Sequence, residues 1–413
     1  MKIFDTAQIL IPKEAAHETW SVVACDQYTS QKEYWHEVEE KVGDKKSTLK
    51  LILPEVYLGE DERIEKINAE MASYLNENVF RTLDNSFVLV KRKQRNGAVR
   101  YGIIGQVDLE EYDFSVGSSS YIRATEGTVI ERIPPRVKIR KNAPLELPHI
   151  IMLIDDEKKN VIEPLKEKAD SFEKIYDFEL MMDSGHLTGY IVPEEECSRM
   201  KAELDKMAQK DYFENKYGVK DKGVLLFAVG DGNHSLATAK TVWENVKKGL
   251  SEEEQKNHPA RYALVEVMNI HDEALVFEPI HRVVFGADDS LVDELKKYAE
   301  ELSGDMPEQT IICVKGDEEI KIPVKHPVNN LTVGTLQKFL DTYVKEHDCE
   351  IDYIHGDDTV RELSNDNIGF ILPPMEKRQL FETVIYDGVL PRKTFSMGEA
   401  EDKRFYFECK KIK

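Results

Sequence analysis

The stretch Val224-Leu225-Leu226-Phe227-Ala228-Val229-Gly230-Asp231-Gly232-Asn233-His234-Ser235 reads as a buried strand that runs through a glycine turn into a helix. The uninterrupted apolar run Val224–Val229 suits a strand covered on both faces. The helix that follows carries Ala239, Val242, Trp243, Val246 and Leu250 on one stripe, which predicts a face packed on a sheet. A strand feeding a helix through glycines is the building unit of α/β proteins. The expected fold is therefore α/β (mixed α+β), with mixed sheets and flanking helices.

The turn also carries chemistry. A helix start offers backbone N–H groups without intrahelical partners and a partial positive charge, so anions bind there. Gly230 and Gly232 let the backbone approach a ligand and tolerate positive φ. Asp231 suits either a Mg²⁺ ion or the proton of a hydroxyl, and His234 and Ser235 suit phosphate oxygens. The plainer reading makes Asp231 and Asn233 turn residues and Ser235 an N-cap, but it requires neither a histidine nor two glycines around an aspartate. The spacing is not that of a Walker loop.

Outward from this stretch, strand-like and helix-like segments alternate. Trp20–Ala24 reads as a short buried strand with Cys25-Asp26 at its end, and Ser30 with Glu33 reads as a capping box that opens a helix. Ile64, Ile67, Met71 and Leu75 share one face of a helix over 61–78. Asn96-Gly97 turns a hairpin between 87–93 and 99–107, and Ser184-Gly185 turns another between 178–182 and 187–192. Glu194–Tyr212 reads as one charged amphipathic helix. No repeat or linker marks a boundary, and the expected regions are 1–148, 149–287 with the glycine loop, and 288–413.

Across 413 residues, 56 Lys and Arg stand against 78 Asp and Glu, a net charge of −22. That balance repels nucleic acid and anionic membrane as main partners. Met1–Pro12 lacks the pattern of a signal peptide, and no apolar run is long enough to span a bilayer, so a cytoplasmic location is expected. The five scattered cysteines form no CxxC, and neither HExxH nor paired-histidine spacing occurs, which argues against disulfide scaffolds and zinc sites. Against the acidic background, 121–148 is locally basic, with Arg123, Arg132, Arg136, Lys138, Arg140 and Lys141. Arg132, Arg136 and Arg140 have helical spacing, but Pro134-Pro135 forbids a regular helix there. Asp26 at a strand end, Glu126, and Lys393 with Thr394 and Ser396 are further candidates for a phosphate-handling site.

Ala24-Cys25-Asp26-Gln27-Tyr28, Glu126 with Thr128, Gly230–Ser235, Tyr353-Ile354-His355 and Leu390-Pro391-Arg392-Lys393-Thr394 together resemble the domain of unknown function 1015 family over the full chain. Many members of that family carry Ala-Asp-Gly-His-His-Arg at the position of Gly230. That form is similar to the phosphate motif of the ParB and sulfiredoxin superfamily, found at the active site of its free serine kinases. The resemblance implies a ParB/sulfiredoxin-like core, ATP or ADP with Mg²⁺, and phosphoryl transfer to a hydroxyl metabolite, L-serine first. Asp26 or Glu126 would be the base. Asp231 and His234 would organise phosphate and metal, with Asp231 as metal ligand. Gly230, Gly232, Asn233, Ser235, Arg132, Arg136 and Lys393 would hold the nucleotide. Here Asn233 replaces a His and Ser235 replaces the Arg, so Lys240 or the Arg132–Arg140 stretch has to supply the missing charge. A phosphohydrolase of a metabolite such as phosphoserine, and a non-enzymatic nucleotide-binding regulator, are the competing expectations. The partner is a small phosphorylated metabolite or nucleotide in each case, and self-association is left open.

Overall fold

Alternation along the strands places apolar side chains on both faces of one sheet. Val88, Val90, Ile104 and Leu264 enter one core, while Leu89, Ile103, Val265 and Val267 enter another. A computed structural model describes residues 2–13 and 17–413. Among them, the larger sheet has ten strands. Nine follow the order Glu173–Glu179, His186–Ile191, Val88–Lys93, Val99–Asp108, Tyr262–Asn269, Ile151–Ile154, Phe227–Asp231, Ile122–Ala124 and Tyr112–Asp113, and Phe4–Asp5 lies against Val99–Asp108. Ile151–Ile154 runs parallel to Tyr262–Asn269 and antiparallel to Phe227–Asp231, so the sheet is mixed. Trp20, Trp35, Tyr74 and Met71 fill the first core; Leu236, Trp243, Met200 and Leu204 fill the second. The fold is mixed α/β with helices on both sheet faces.

The chain packs as two compact units, one of residues 1–124, 128–275 and 399–413, the other of 125–127 and 276–398. Within the smaller unit, Phe277–Phe285 is flanked by Glu350–His355 and Ile368–Ile371, and all pairings are antiparallel. Helices Ser290–Glu301 and Thr332–Glu346 belong to it. No helix among the described residues is long and apolar enough to cross a membrane.

Both hairpins form at their turns: Lys93 pairs with Val99 around Gly97, whose φ is 87°, and Leu180 N–H donates to Gly185 O at 2.7 Å. Four local expectations need correction. Trp20 ends a four-residue helix, closed by Ser21 N–H donating to His17 O at 3.1 Å, and Val23 forms only an isolated bridge to Phe405. The helix Lys32–Val42 starts after Gln31 without a side-chain cap, so Ser30 and Glu33 form no capping box. The charged segment after Glu194 is two helices, Glu194–Met207 and Lys210–Tyr217, parted at Gln209, whose backbone is extended. Ile133–Arg140 is helical despite Pro134-Pro135. Both prolines lie in its first turn, where backbone N–H groups have no intrahelical acceptor and their absence costs nothing.

Candidate functional site

The strand Phe227–Asp231 ends on a register that decides the site: Asp231 pairs with Ile151 of its antiparallel neighbour. The residues just ahead of that neighbour, Pro148, His149 and Ile150, therefore lie beside the turn. Gly232 has φ 77°, and a Cβ there would stand 3.0 Å from Ile150 Cα and 3.5 Å from His149 Cδ2. Only glycine satisfies both the backbone angle and the space. The helix Asn233–Val246 begins at once, with Leu236 N–H donating to Gly232 O at 3.0 Å. Asp231 Oδ1 accepts from Gly232 N–H at 2.9 Å, and its Oδ2 lies 3.4 Å from Lys403 Nζ.

His149 is buried and is the hub. Its Nε2 lies 3.0 Å from Ser235 Oγ and 3.4 Å from Asp26 Oδ2; its Nδ1 lies 2.7 Å from Tyr406 Oη. Tyr406 Oη also accepts from Cys25 N–H at 3.2 Å, and Gln27 Nε2 donates to Asp26 Oδ1 at 3.0 Å. Burial disfavours charge on His149, but the Asp26 carboxylate outweighs it and raises the imidazole's pKa. Burial likewise pushes Asp26 up, and the imidazole beside it more than reverses this, holding the carboxyl well below its usual range. The cluster therefore favours a carboxylate next to an imidazolium. It is not a nucleophile triad. In such a triad the acid orients the imidazole from the nitrogen opposite the hydroxyl, whereas here Asp26 and Ser235 share Nε2.

His234 points elsewhere. Val129 N–H donates to its Nε2 at 3.3 Å, and burial together with the Arg136 and Arg132 guanidiniums lowers its pKa. Accepting that N–H requires an Nε2 without a proton, in keeping with the direction of the shift.

A cavity of about 140 Å³ opens beside this cluster, reached by Cys25, Glu55, Arg136, His149, Ser235 and Tyr406. Leu51, Ile52, Leu53, Met71, Leu145 and Leu147 are among its apolar lining residues. Arg136 is ion-paired with Glu55, and Arg140 with Glu146.

Residues 7–343 match the model of a family described as protein of unknown function (DUF1015). The chain belongs to the DUF1015 family. No curated protein shows significant similarity to this DUF1015 chain. Among solved structures, free serine kinase in complex with AMP is 12% identical over 73% of this chain and 90% of that one, with a TM-score of 0.36. A conserved hypothetical protein from Pyrococcus furiosus is 12% identical over 75% and 94%, with a TM-score of 0.34. SbnI with C-terminal truncation, from Staphylococcus aureus, is 12% identical over 74% and 82%, with a TM-score of 0.33. Likenesses this distant carry no assignment of activity.

Of the residues singled out from the sequence, Asp26, Arg136, Gly230, Asp231, Gly232, Asn233, His234 and Ser235 all fall in the larger unit of this DUF1015 protein. Asn233 is buried and donates from Nδ2 to Val229 O at 3.4 Å, a contact that braces the turn. Arg132 is exposed, and its carbonyl accepts from Arg136 Nη1 at 2.7 Å. Glu126 and Lys393 belong to the smaller unit, where both are exposed and Glu126 bridges to Leu390. Lys240 is engaged by Leu109 O at 2.9 Å and Glu244 at 2.8 Å, so the cation beside Asp231 is Lys403 instead. His149, Tyr406, Lys403 and Glu55 were not evident from the sequence. A lone histidine ahead of an apolar strand has no spacing signal; only the pairing of Ile151 with Asp231 reveals it. Among the described residues, Asp155, Glu157 and His271 form the one three-residue cluster with metal-ligating atoms. Its Asp155 is already met by Lys216 at 2.9 Å and by Tyr217 Oη at 2.6 Å.

Proposed function

We propose that the Gly230–Ser235 turn with the Asp26–His149–Ser235 cluster is a phosphoryl-transfer site, and that the protein is a small-molecule kinase moving phosphate from a nucleotide to a hydroxyl metabolite. L-serine, giving O-phosphoserine, is the first acceptor to test. The observation that carries this reading is the cluster itself: an ionised carboxylate, an imidazolium and a hydroxyl gathered at a helix start. The likeness of the turn to a phosphate motif supports ATP or ADP as the donor.

Phosphoryl transfer needs positioning and charge neutralisation more than covalent chemistry. The first-turn N–H groups after Gly232 and the nearby Lys403 suit phosphate oxygens. Asp26, ionised beside His149, would accept the proton of the attacking hydroxyl. The hydroxyl oxygen bonds to phosphorus as the bond to the leaving nucleotide oxygen breaks. Asp231 fits Mg²⁺ as a single carboxylate ligand, since that ion completes its shell with water and phosphate oxygens; when bound it neutralises phosphate charge. Metal binding would have to displace Lys403 from Asp231.

The test is direct. Purified protein with Mg²⁺, ATP or ADP, and L-serine should give phosphoserine by phosphorus NMR, and Asp231→Ala should abolish it. No phosphoserine with either nucleotide would remove the serine assignment. Inorganic phosphate released from phosphoserine without nucleotide would replace the kinase by a phosphohydrolase.

A further inference from the structure

The cavity beside His149 has an uneven chemistry. His149 and Ser235 of the cluster line it; most of the other lining side chains are apolar, Leu51, Ile52, Leu53, Met71, Leu145 and Leu147 among them, and Glu55, Arg136, Arg140 and Glu146 are the charged exceptions. The charges that border it are neutralised inside the protein. Arg136 is paired with Glu55 and Arg140 with Glu146, and Glu146 Oε1 also accepts Leu264 N–H at 2.8 Å. A zwitterion placed in the cavity would have to break one of these pairs, at the cost of leaving a partly buried charge alone. An apolar group would displace water from apolar walls and break nothing.

We infer that this cavity receives the apolar part of a hydroxyl-bearing ligand, a primary alcohol with an aryl or branched alkyl body, with its hydroxyl at His149 and Ser235. The inference rests on the kinase reading above and extends its acceptor class from L-serine to alcohols with an apolar body. Size supports it: an apolar cavity of about 150 Å³ holds a benzene-sized molecule, and this one is about 140 Å³. As acceptor, the alcohol oxygen would bond to the transferred phosphorus, its proton would pass to Asp26, and the phosphorus bond to the nucleotide would break.

The probes are ethanol, butanol, benzyl alcohol and L-serine, titrated into the full-length protein without nucleotide and followed by the Met71 methyl resonance. Affinity should rise about fourfold for each added methylene, and benzyl alcohol should shift Met71 at lower concentration than L-serine does. Ala143→Phe, which places a ring in the cavity wall, should abolish benzyl alcohol binding; a melting curve confirms that this variant is folded. The chain-length series on the unmodified protein keeps the test valid if it is not. Affinity independent of chain length, or L-serine binding more tightly than benzyl alcohol, overturns the inference. The two readings fail separately. Binding of benzyl alcohol without phosphorylation by Mg²⁺ and ATP or ADP leaves the cavity assignment standing and defeats the kinase. Phosphoserine formation without benzyl alcohol binding does the reverse.

Discussion

Two buried charge clusters of the larger unit are built from similar parts and differ in what they can do. In the first, Arg404 lies 2.5 Å from Glu266 and 2.7 Å from Glu408, Tyr176 donates to Glu408, and Arg404 Nε donates to Pro148 O at 2.8 Å. In the second, Asp26, His149, Ser235 and Tyr406 meet at the edge of a cavity. The cation of the first is a guanidinium, which does not give up its proton, and it is under 5% exposed. The cation of the second is an imidazole, whose proton moves near neutral pH. The first cluster fixes backbone, including the residue before His149; the second holds a mobile proton beside an open space. Chemistry therefore follows access and a titrating partner, not the amount of buried charge.

Substitutions separate the two. Arg404→Met should cost most, because it leaves Glu266 and Glu408 buried without their cation; a loss of about 3–5 kcal/mol in urea unfolding is expected. A loss near zero would mean that the network does not hold the site. Asp26→Asn should lower phosphoserine formation by about 10²-fold or more while lowering stability less than Arg404→Met does; equal losses would make Asp26 structural. Tyr406→Phe removes a partner from His149 and from Cys25 N–H, and about 1–3 kcal/mol should be lost.

The pH response should distinguish the clusters as well. The folded value of Asp26 lies below its ordinary 3.8, so its stabilisation is present above about pH 4 and is lost as pH falls through that lowered value. His149 lies above its ordinary 6.5, so its contribution is complete below about pH 6.5 and is lost as pH rises through the raised value. The urea midpoint should therefore decline as pH rises above about 6.5, and His149→Gln should flatten that decline. A decline that survives the substitution belongs to other groups. The smallest effect is expected at Arg132, which is exposed: Arg132→Ala should change stability by no more than about 0.5 kcal/mol.

Much of the framework was legible in the residues. The apolar run before Gly230, the Asn96-Gly97 turn and the stripe through Trp243 are local signals, and each element formed near its expected place. Local rules failed where a position mattered more than a residue type, as at Pro134-Pro135, harmless in a first turn. At the candidate site, Asp231 and Ser235 carried a motif, but His149, Lys403 and Tyr406 did not. They reach the turn through the register of two paired strands far apart in the sequence and through a segment about 170 residues further along the chain. No spacing rule spans that distance.

That last segment sets an order on the protein's birth at the ribosome. Asp26 is made about 380 residues before Tyr406, and at about 5–20 residues per second that interval is roughly 20–80 s. From their own synthesis until its end, His149 lacks the hydroxyl on Nδ1 and Asp231 lacks the ammonium of Lys403. A nascent or prematurely ended chain would hold the glycine turn but not the assembled cluster, which closes only once residues 403–406 have been translated.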